Sequence, residues 1–330
     1  MNTHRPTRSS FAVTKVRCIA LAALWALTSA GITLGASTGR IAFVGNQSGS
    51  FQLYTMNPDG SDMAQITYLG PTSFESWSPD FSPDGRRIAF CYGTFNSSGN
   101  LVTEIYAINV DGTGLTQFTH DGQFDCFPRW SPDATRIVFG RTAALTQQLV
   151  TTTMAADGSD IKELTTPFWS IGRSGYTPDG RRILWETQQA GFVSVIWSMD
   201  AQGGQQQRLT APALRAGDIS APSPDGKHLA FISYQNTLPV LPITIFVMNL
   251  DGTGIQQITQ PVGNSHDMAP NYSPDGTKIV FASDRLSSDG SLDIFTMNAD
   301  GTNLTRIATG VTVGGCPDVS CVTPAWGRKP

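Results

Sequence analysis

Two short segments of this 330-residue chain set an aspartate three residues ahead of a proline: Asp125-Cys126-Phe127-Pro128 and Asp267-Met268-Ala269-Pro270. Histidines stand close to both, His120 five residues before the first and His266 beside the second. A carboxylate with an imidazole nearby offers oxygen and nitrogen donors to a divalent cation. The same carboxylates would accept a basic group from a partner protein, or bond backbone amides of a neighbouring element. Elsewhere the equivalent positions are Ser76, Ile171, Gly217 and Cys321, with Glu75 and Asp218 each one residue away from theirs, so the set is polar without being uniformly acidic. Glu75, Asp125, Phe127, His266 and Asp267 are the candidate partner-binding residues. His120, Asp125, His266 and Asp267 are the candidate metal set, a divalent cation being the one cofactor the sequence offers ligands for. No Gly-x-Ser-x-Gly elbow accompanies them, so no catalytic residue is assigned. Segments such as Gly112-Thr113-Gly114 lead into no helix that would cradle phosphate.

What positions these residues is a repeat. Phe81-Ser82-Pro83-Asp84-Gly85 followed by Ile88-Ala89-Phe90 returns as Tyr272-Ser273-Pro274-Asp275-Gly276 followed by Ile279-Val280-Phe281. Weaker copies start at Trp130, Tyr176 and Pro222, and a half copy at Gly39-Arg40-Ile41-Ala42-Phe43. The apolar triplets begin at Ile41, Ile88, Ile137, Ile183, Leu229 and Ile279, in steps of 47, 49, 46, 46 and 50 residues. That period suits one four-stranded propeller blade per repeat. Ser-Pro-Asp-Gly is a tight turn, because proline presets φ, Asp bonds its own backbone and Gly takes positive φ. A third, alternating strand such as Asp293-Ile294-Phe295-Thr296-Met297 ends in a second turn of the type Asn298-Ala299-Asp300-Gly301. A short fourth strand ends in threonine, as in Gln65-Ile66-Thr67 and Gln257-Ile258-Thr259. The expected fold is all-β, a six-bladed β-propeller of four-stranded antiparallel blades. The first blade lacks its first strand, and Val322-Thr323-Pro324-Ala325-Trp326 supplies one, so the C-terminal strand closes the ring on the N-terminal blade.

Residues 1–30 read as a secretory signal peptide: basic Arg5, Arg8, Lys15 and Arg17, an apolar run from Cys18 to Leu27, then Thr28-Ser29-Ala30. Residues 31–38 form a short linker and 39–330 the propeller. The apolar run is too short to span a bilayer comfortably, so no membrane span is expected in the mature protein, which would be periplasmic or secreted. Losing the four leader bases takes the formal charge from −4 to −8, which argues against nucleic acid as a partner. Four cysteines remain, an even number that favours disulfides in an exported chain. Cys316–Cys321 is the expected short loop, and Cys91–Cys126 a bridge between blades. His228 follows Gly226-Lys227 at a strand start and reads as a surface residue.

The Ser-Pro-Asp-Gly…Ile-Ala-Phe element and the Met-Asn-x-Asp-Gly element (Met56 to Gly60, Met248 to Gly252, Met297 to Gly301) resemble the TolB-type propeller family over about residues 39–328. The resemblance implies a periplasmic propeller that docks a protein of the cell envelope. TolB proteins carry an N-terminal domain as well, and this sequence is expected to be a stand-alone propeller without one. The expected function is thus an exported, non-enzymatic, monomeric interaction module that docks an envelope or secreted protein at one mouth of the propeller axis. The rival expectation is a metal-dependent, lyase-like carbohydrate-active enzyme or a glycan-binding propeller. Prolyl-oligopeptidase-like enzymes have a similar propeller, but their α/β catalytic domain has no counterpart in this sequence.

Overall fold

The computed structural model describes residues 39–70, 78–143, 148–166, 170–189, 193–217, 219, 222–234, 242–312 and 322–330. Each repeat forms an antiparallel sheet of four strands in sequential order. Blade 2 (80–117), blade 3 (125–163), blade 4 (170–208), blade 5 (216–257) and blade 6 (267–308) follow along the chain. Blades 3 and 4 are tied into one larger sheet by a single pairing, Leu149 with Ser170. Blade 1 joins three strands near the start of the fold (Arg40–Gly45, Gln52–Met56, Ala64–Gln65) to Ala325–Gly327. Ile41 pairs with Trp326 and Ala42 with Ala325, so the ring closes as expected. Among the described residues the only helical element is a 3-10 turn, Pro212–Leu214, and none is a helix long and apolar enough to cross a membrane.

Local chemistry sets each blade. In the first turn Ser82 Oγ donates to Asp84 Oδ1 (2.6 Å) and accepts the Arg87 N–H (2.9 Å). The same pair of bonds recurs at Ser131, Thr177, Ser223 and Ser273. These hydroxyl and amide donors hold the exposed Asp84, Asp133, Asp179 and Asp225 below the usual carboxylate range. The short fourth strand is pinned by its threonine. Thr67, Thr119, Thr165, Thr210 and Thr259 each accept a third-strand backbone N–H through Oγ1 at 2.8–3.0 Å.

Neighbouring blades meet at the second turn. A Cβ added at Gly60, Gly112, Gly158, Gly203, Gly252 or Gly301 would fall 2.0–3.0 Å from a fourth-strand carbonyl oxygen of the preceding blade. All six have positive φ. For Gly60 that oxygen belongs to Ile307 of blade 6, which carries the contact across the closure. The apolar faces between blades pack as fully buried side chains, including Phe43, Phe90, Phe139, Phe231 and Phe281. Five blades add a stacked cross-strand aromatic pair, such as Trp185–Trp197 and Phe281–Phe295, with centroids 5.6–5.9 Å apart.

Cys91, in the second strand of blade 2, is bridged to Cys126, in the first strand of blade 3, with Cα atoms 5.0 Å apart. The inter-blade bridge expected from the sequence is present. The expected Cys316–Cys321 pair lies outside the described residues. Replacing Cys91 and Cys126 together by alanine should cost about 2–4 kcal/mol. The readout is a lower denaturation midpoint in non-reducing buffer, and an unchanged midpoint would show that blade packing alone holds that junction.

Candidate functional site

Asp125 and Arg141 face one another because the first two strands of blade 3 pair antiparallel with these residues in register. Arg141 Nε donates to Oδ1 (2.8 Å) and Nη2 to Oδ2 (2.6 Å), a bidentate pair. The guanidinium also reaches Asp121 at 2.7 Å, in the loop leading into the strand. Asp125 is fully buried. Burial pushes its carboxyl up to about 6, against the opposing pull of Arg141. Glu104, from blade 2, accepts bonds from Thr119 Oγ1 and the Gly122 N–H. Carboxylate oxygens of Glu104, Asp121 and Asp125 all lie within 4.8 Å of one another.

Blade 6 repeats the scheme with a two-residue offset. Asp267 pairs in register with Ser283, whose Oγ donates to Oδ1 (2.7 Å). Arg285 closes a second bidentate pair on Asp267 through Nε (3.1 Å) and Nη2. Its guanidinium lies over the rings of Phe281 and Phe295. The neighbouring His266 gives its N–H to Asp284 Oδ1 (2.7 Å) and sets Nδ1 2.8 Å from Oδ2. That bond raises the imidazole above its ordinary value, with burial opposing.

Blade 4 solves the problem differently. Its equivalent of Asp125 is Ile171, and that of blade 5 is Gly217. Glu186, on the second strand of blade 4, takes the space Gly217 leaves, since a Cβ there would stand 2.3 Å from Glu186 Oε1. Glu186 is 1% exposed, and burial pushes it up to about 8, Arg173 and Ser194 opposing. Arg173 places its guanidinium 5.2 Å over the ring of Phe127. Phe127 itself sits on a bulge with φ 62°, and Ser78 (41°) and Ala269 (51°) repeat that left-handed kink at the same place in blades 2 and 6. Such kinks re-aim the side chains at the start of these strands.

Asp125 and Asp267, expected to meet a partner or metal, thus lie fully buried behind arginines of their own blades. Phe127 and His266 are half-buried at the mouth, His120 is exposed, and Glu75 lies outside the described residues. His120, Asp125, His266 and Asp267 are not drawn together: blades 3 and 6 stand three places apart in the ring, and Asp125 gathers with Glu104 and Asp121 instead. The amide-bonding role weighed for these aspartates falls to others. Asp80 Oδ2 accepts the Trp130 N–H of the next blade (2.8 Å) while Arg129 binds Oδ1, and Asn271 does the same for Trp326. Asp80, Asn271, Phe81, Tyr272 and Trp326 line a cavity of about 180 Å³ at the opposite, turn-side mouth. Arg141, Arg285, Glu186 and Glu104 escaped the sequence reading. Strand register would have exposed Arg141, since it stands opposite Asp125.

The class defined by these features is a closed six-bladed β-propeller in which two blades carry a buried bidentate ion pair at the start of the first strand. The chain belongs to the TolB beta propeller domain family, whose model matches residues 72–222 and 213–323. It is 24% identical over 239 residues to an uncharacterized protein of Agrobacterium fabrum, covering 71% of this chain and 62% of that one. In the next two curated relatives the match spans only 30% and 17% of their length. The crystal structure of TolB from Acinetobacter baumannii superimposes with TM-score 0.70 at 21% identity, over 89% of this chain and 68% of that one. An oligogalacturonate lyase solved in complex with manganese is more distant, TM-score 0.55 at 14% identity, over 82% of this chain and 74% of that one.

Two outcomes follow from the buried charges. Asp267→Ala leaves the buried Arg285 without its bidentate partner and should cost about 3–5 kcal/mol in a chemical denaturation curve. Glu186 binds its proton more tightly folded than unfolded, so its contribution is greatest at low pH and is lost as pH rises from about 4.5 to about 8. Thermal midpoints should therefore fall over that window in the wild type, and Glu186→Gln should flatten the fall. An equal slope in both proteins would show that Glu186 does not titrate there.

Proposed function

We propose that this chain is an exported, non-enzymatic docking module, monomeric, that binds an envelope or secreted protein at the mouth of the axis where the chain enters its first strands. The observation that carries this reading is the pair of buried salt bridges, Asp125–Arg141 and Asp267–Arg285. They fix the polar floor of that mouth and leave Phe127, Asp121 and His266 preset above it, so little order is lost on binding. Export is supported by the basic-then-apolar residues 1–30 and by the Cys91–Cys126 bridge, a bond that persists in oxidising compartments. Membership of the TolB propeller family supports a protein as the partner.

A second reading rests on the oxygens gathered by Glu104, Asp121 and Asp125, together with the fold shared with a manganese-bound lyase. In it a divalent cation competes with Arg141 for these carboxylates, and an acidic oligosaccharide is the substrate. A stoichiometric metal in the purified protein, lost on Glu104→Gln, would replace the docking reading.

The test is affinity capture from native envelope extract with tagged protein, wild type beside Phe127→Ala/His266→Ala. One stoichiometric protein should be retained by the wild type and lost by the variant at an unchanged melting temperature. Full retention by the variant would remove the mouth as the docking site.

A further inference from the structure

The residue that opens the second strand is basic in every blade: Arg40, Arg87, Arg136, Arg182, His228 and Lys278. In blades 1 and 3 it clamps its own blade. Arg40 donates to Thr55 Oγ1 and Asp62, and Arg136 to Thr153 Oγ1 (3.0 Å) and Asp160 Oδ2 (2.8 Å). Arg182 of blade 4 reaches Ser198 Oγ and the Gln205 carbonyl in the same way. Blade 5 has changed all three parts of the clamp. His228 stands for the arginine, Val247 for the hydroxyl residue and Gly254 for the aspartate.

The space changes accordingly. Between blades 3 and 4 a groove of about 440 Å³ is lined by Arg136. The equivalent groove between blades 5 and 6 holds about 580 Å³ and runs further in, to Val247, Gln256 and Ile258. Its floor is apolar, from half-buried Val247, Ile258 and Ala299 beside Tyr272. Its rim is acidic, from the exposed Asp225, Asp275 and Asp300. Each of these spends Oδ1 on its own turn, bound by Ser223, Ser273 or Thr302. Lys227 Nζ stays 3.7 Å from Asp225 on a largely exposed side chain, and His228 is the base that lines the groove.

We propose that this groove docks a basic side chain, arginine or lysine, of a partner protein. Its aliphatic stem would cover Val247 and Ile258 while its cation lies among Asp225, Asp275 and Asp300, a division of apolar stem and charged head that such side chains favour. An anion would meet three carboxylates, and a neutral apolar group would leave Asp275 and Asp300 without a counter-charge, Asp225 alone having Lys227 beside it. The groove lies on the Ser-Pro-Asp-Gly side of the ring, so it is separate from the mouth carrying Phe127 and His266.

The test is an NMR titration of the full isotopically labelled chain with N-acetyl-arginine amide, with N-acetyl-norleucine amide as the uncharged control. Saturable shifts are expected at the amides of Gly254, Gly276 and Asp300, with the equivalent Asp160 and Gly180 unmoved. The control should bind at least about tenfold more weakly. His228→Arg restores the arginine of blades 1 and 3 and should abolish the shifts. Asp225→Asn/Asp300→Asn keeps the Oδ1 acceptors and should abolish them too, and the spectra themselves report whether each variant is folded. Shifts spread over the turns of all blades, shifts that survive in both folded variants, or no saturable shift at all would overturn the proposal.

Discussion

Everything in this molecule depends on how closely one blade's second turn approaches the preceding blade's fourth strand. At Gly60 and its five equivalents a carbonyl oxygen occupies the place where any other residue would carry its Cβ. The turn also demands positive φ, so glycine answers two requirements at once. The approach fixes the spacing of neighbouring sheets at their outer edge. At two junctions, blades 2–3 and 6–1, the first strand is also held, where Asp80 and Asn271 capture the next first strand by its backbone amide. With all six glycine approaches made and two seams tied by these amide bonds as well, the similar sheets go round as a closed ring.

The ring's symmetry is then broken where chemistry can enter. A strictly repeated sequence would present six identical mouth positions. Here two positions carry a buried aspartate met by an arginine, one is vacated as Gly217 for Glu186, and one has Arg173 stacked on Phe127. A buried ion pair adds little net stability but is expensive to break, so it holds its members in one geometry. Half-buried Phe127 lies under the Arg173 guanidinium, and half-buried His266 is held by Asp284. The opposite face diverges in the same manner, one blade at a time, with blade 5 departing furthest from the arginine clamp of blades 1 and 3.

The repeat made the architecture readable because its turns are local: Ser-Pro-Asp-Gly and Asp-Gly each act within a few residues, and the closing threonine reaches back only 14. The closure was readable because Trp326 matched an aromatic that blade 1 lacked. The Cys91–Cys126 bridge followed from the ends of consecutive strands. The site was harder, because its decisive partners are not local. Arg141 lies 16 residues beyond Asp125, and Arg285 sits two places past the residue opposite Asp267, after a bulge has shifted the register. Nothing in the pattern marks Glu186 as the group that fills the space at Gly217, since that relation exists only between blades. An aspartate read as a surface ligand was in fact a buried counter-ion, a distinction that composition and spacing do not carry.

The three-residue strand Ala325–Gly327 completes a sheet whose other strands lie 260 to 285 residues earlier. It follows the other described strands in the chain and so is synthesised after them. Until it arrives, Arg40–Gly45 presents an unpaired edge, and Asn271 and Phe81 face an unfilled seam. Five blades therefore wait on a sixth, in an open arc that offers its bare strand to any other chain nearby. The seam is also where the circle would part first under strain, since among the described residues it is held by non-covalent contacts between residues 40–42 and Ala325–Gly327. A version of the chain that began with Ala325–Gly327 and ran on into Arg40 would move that weak point elsewhere while leaving every blade as it is.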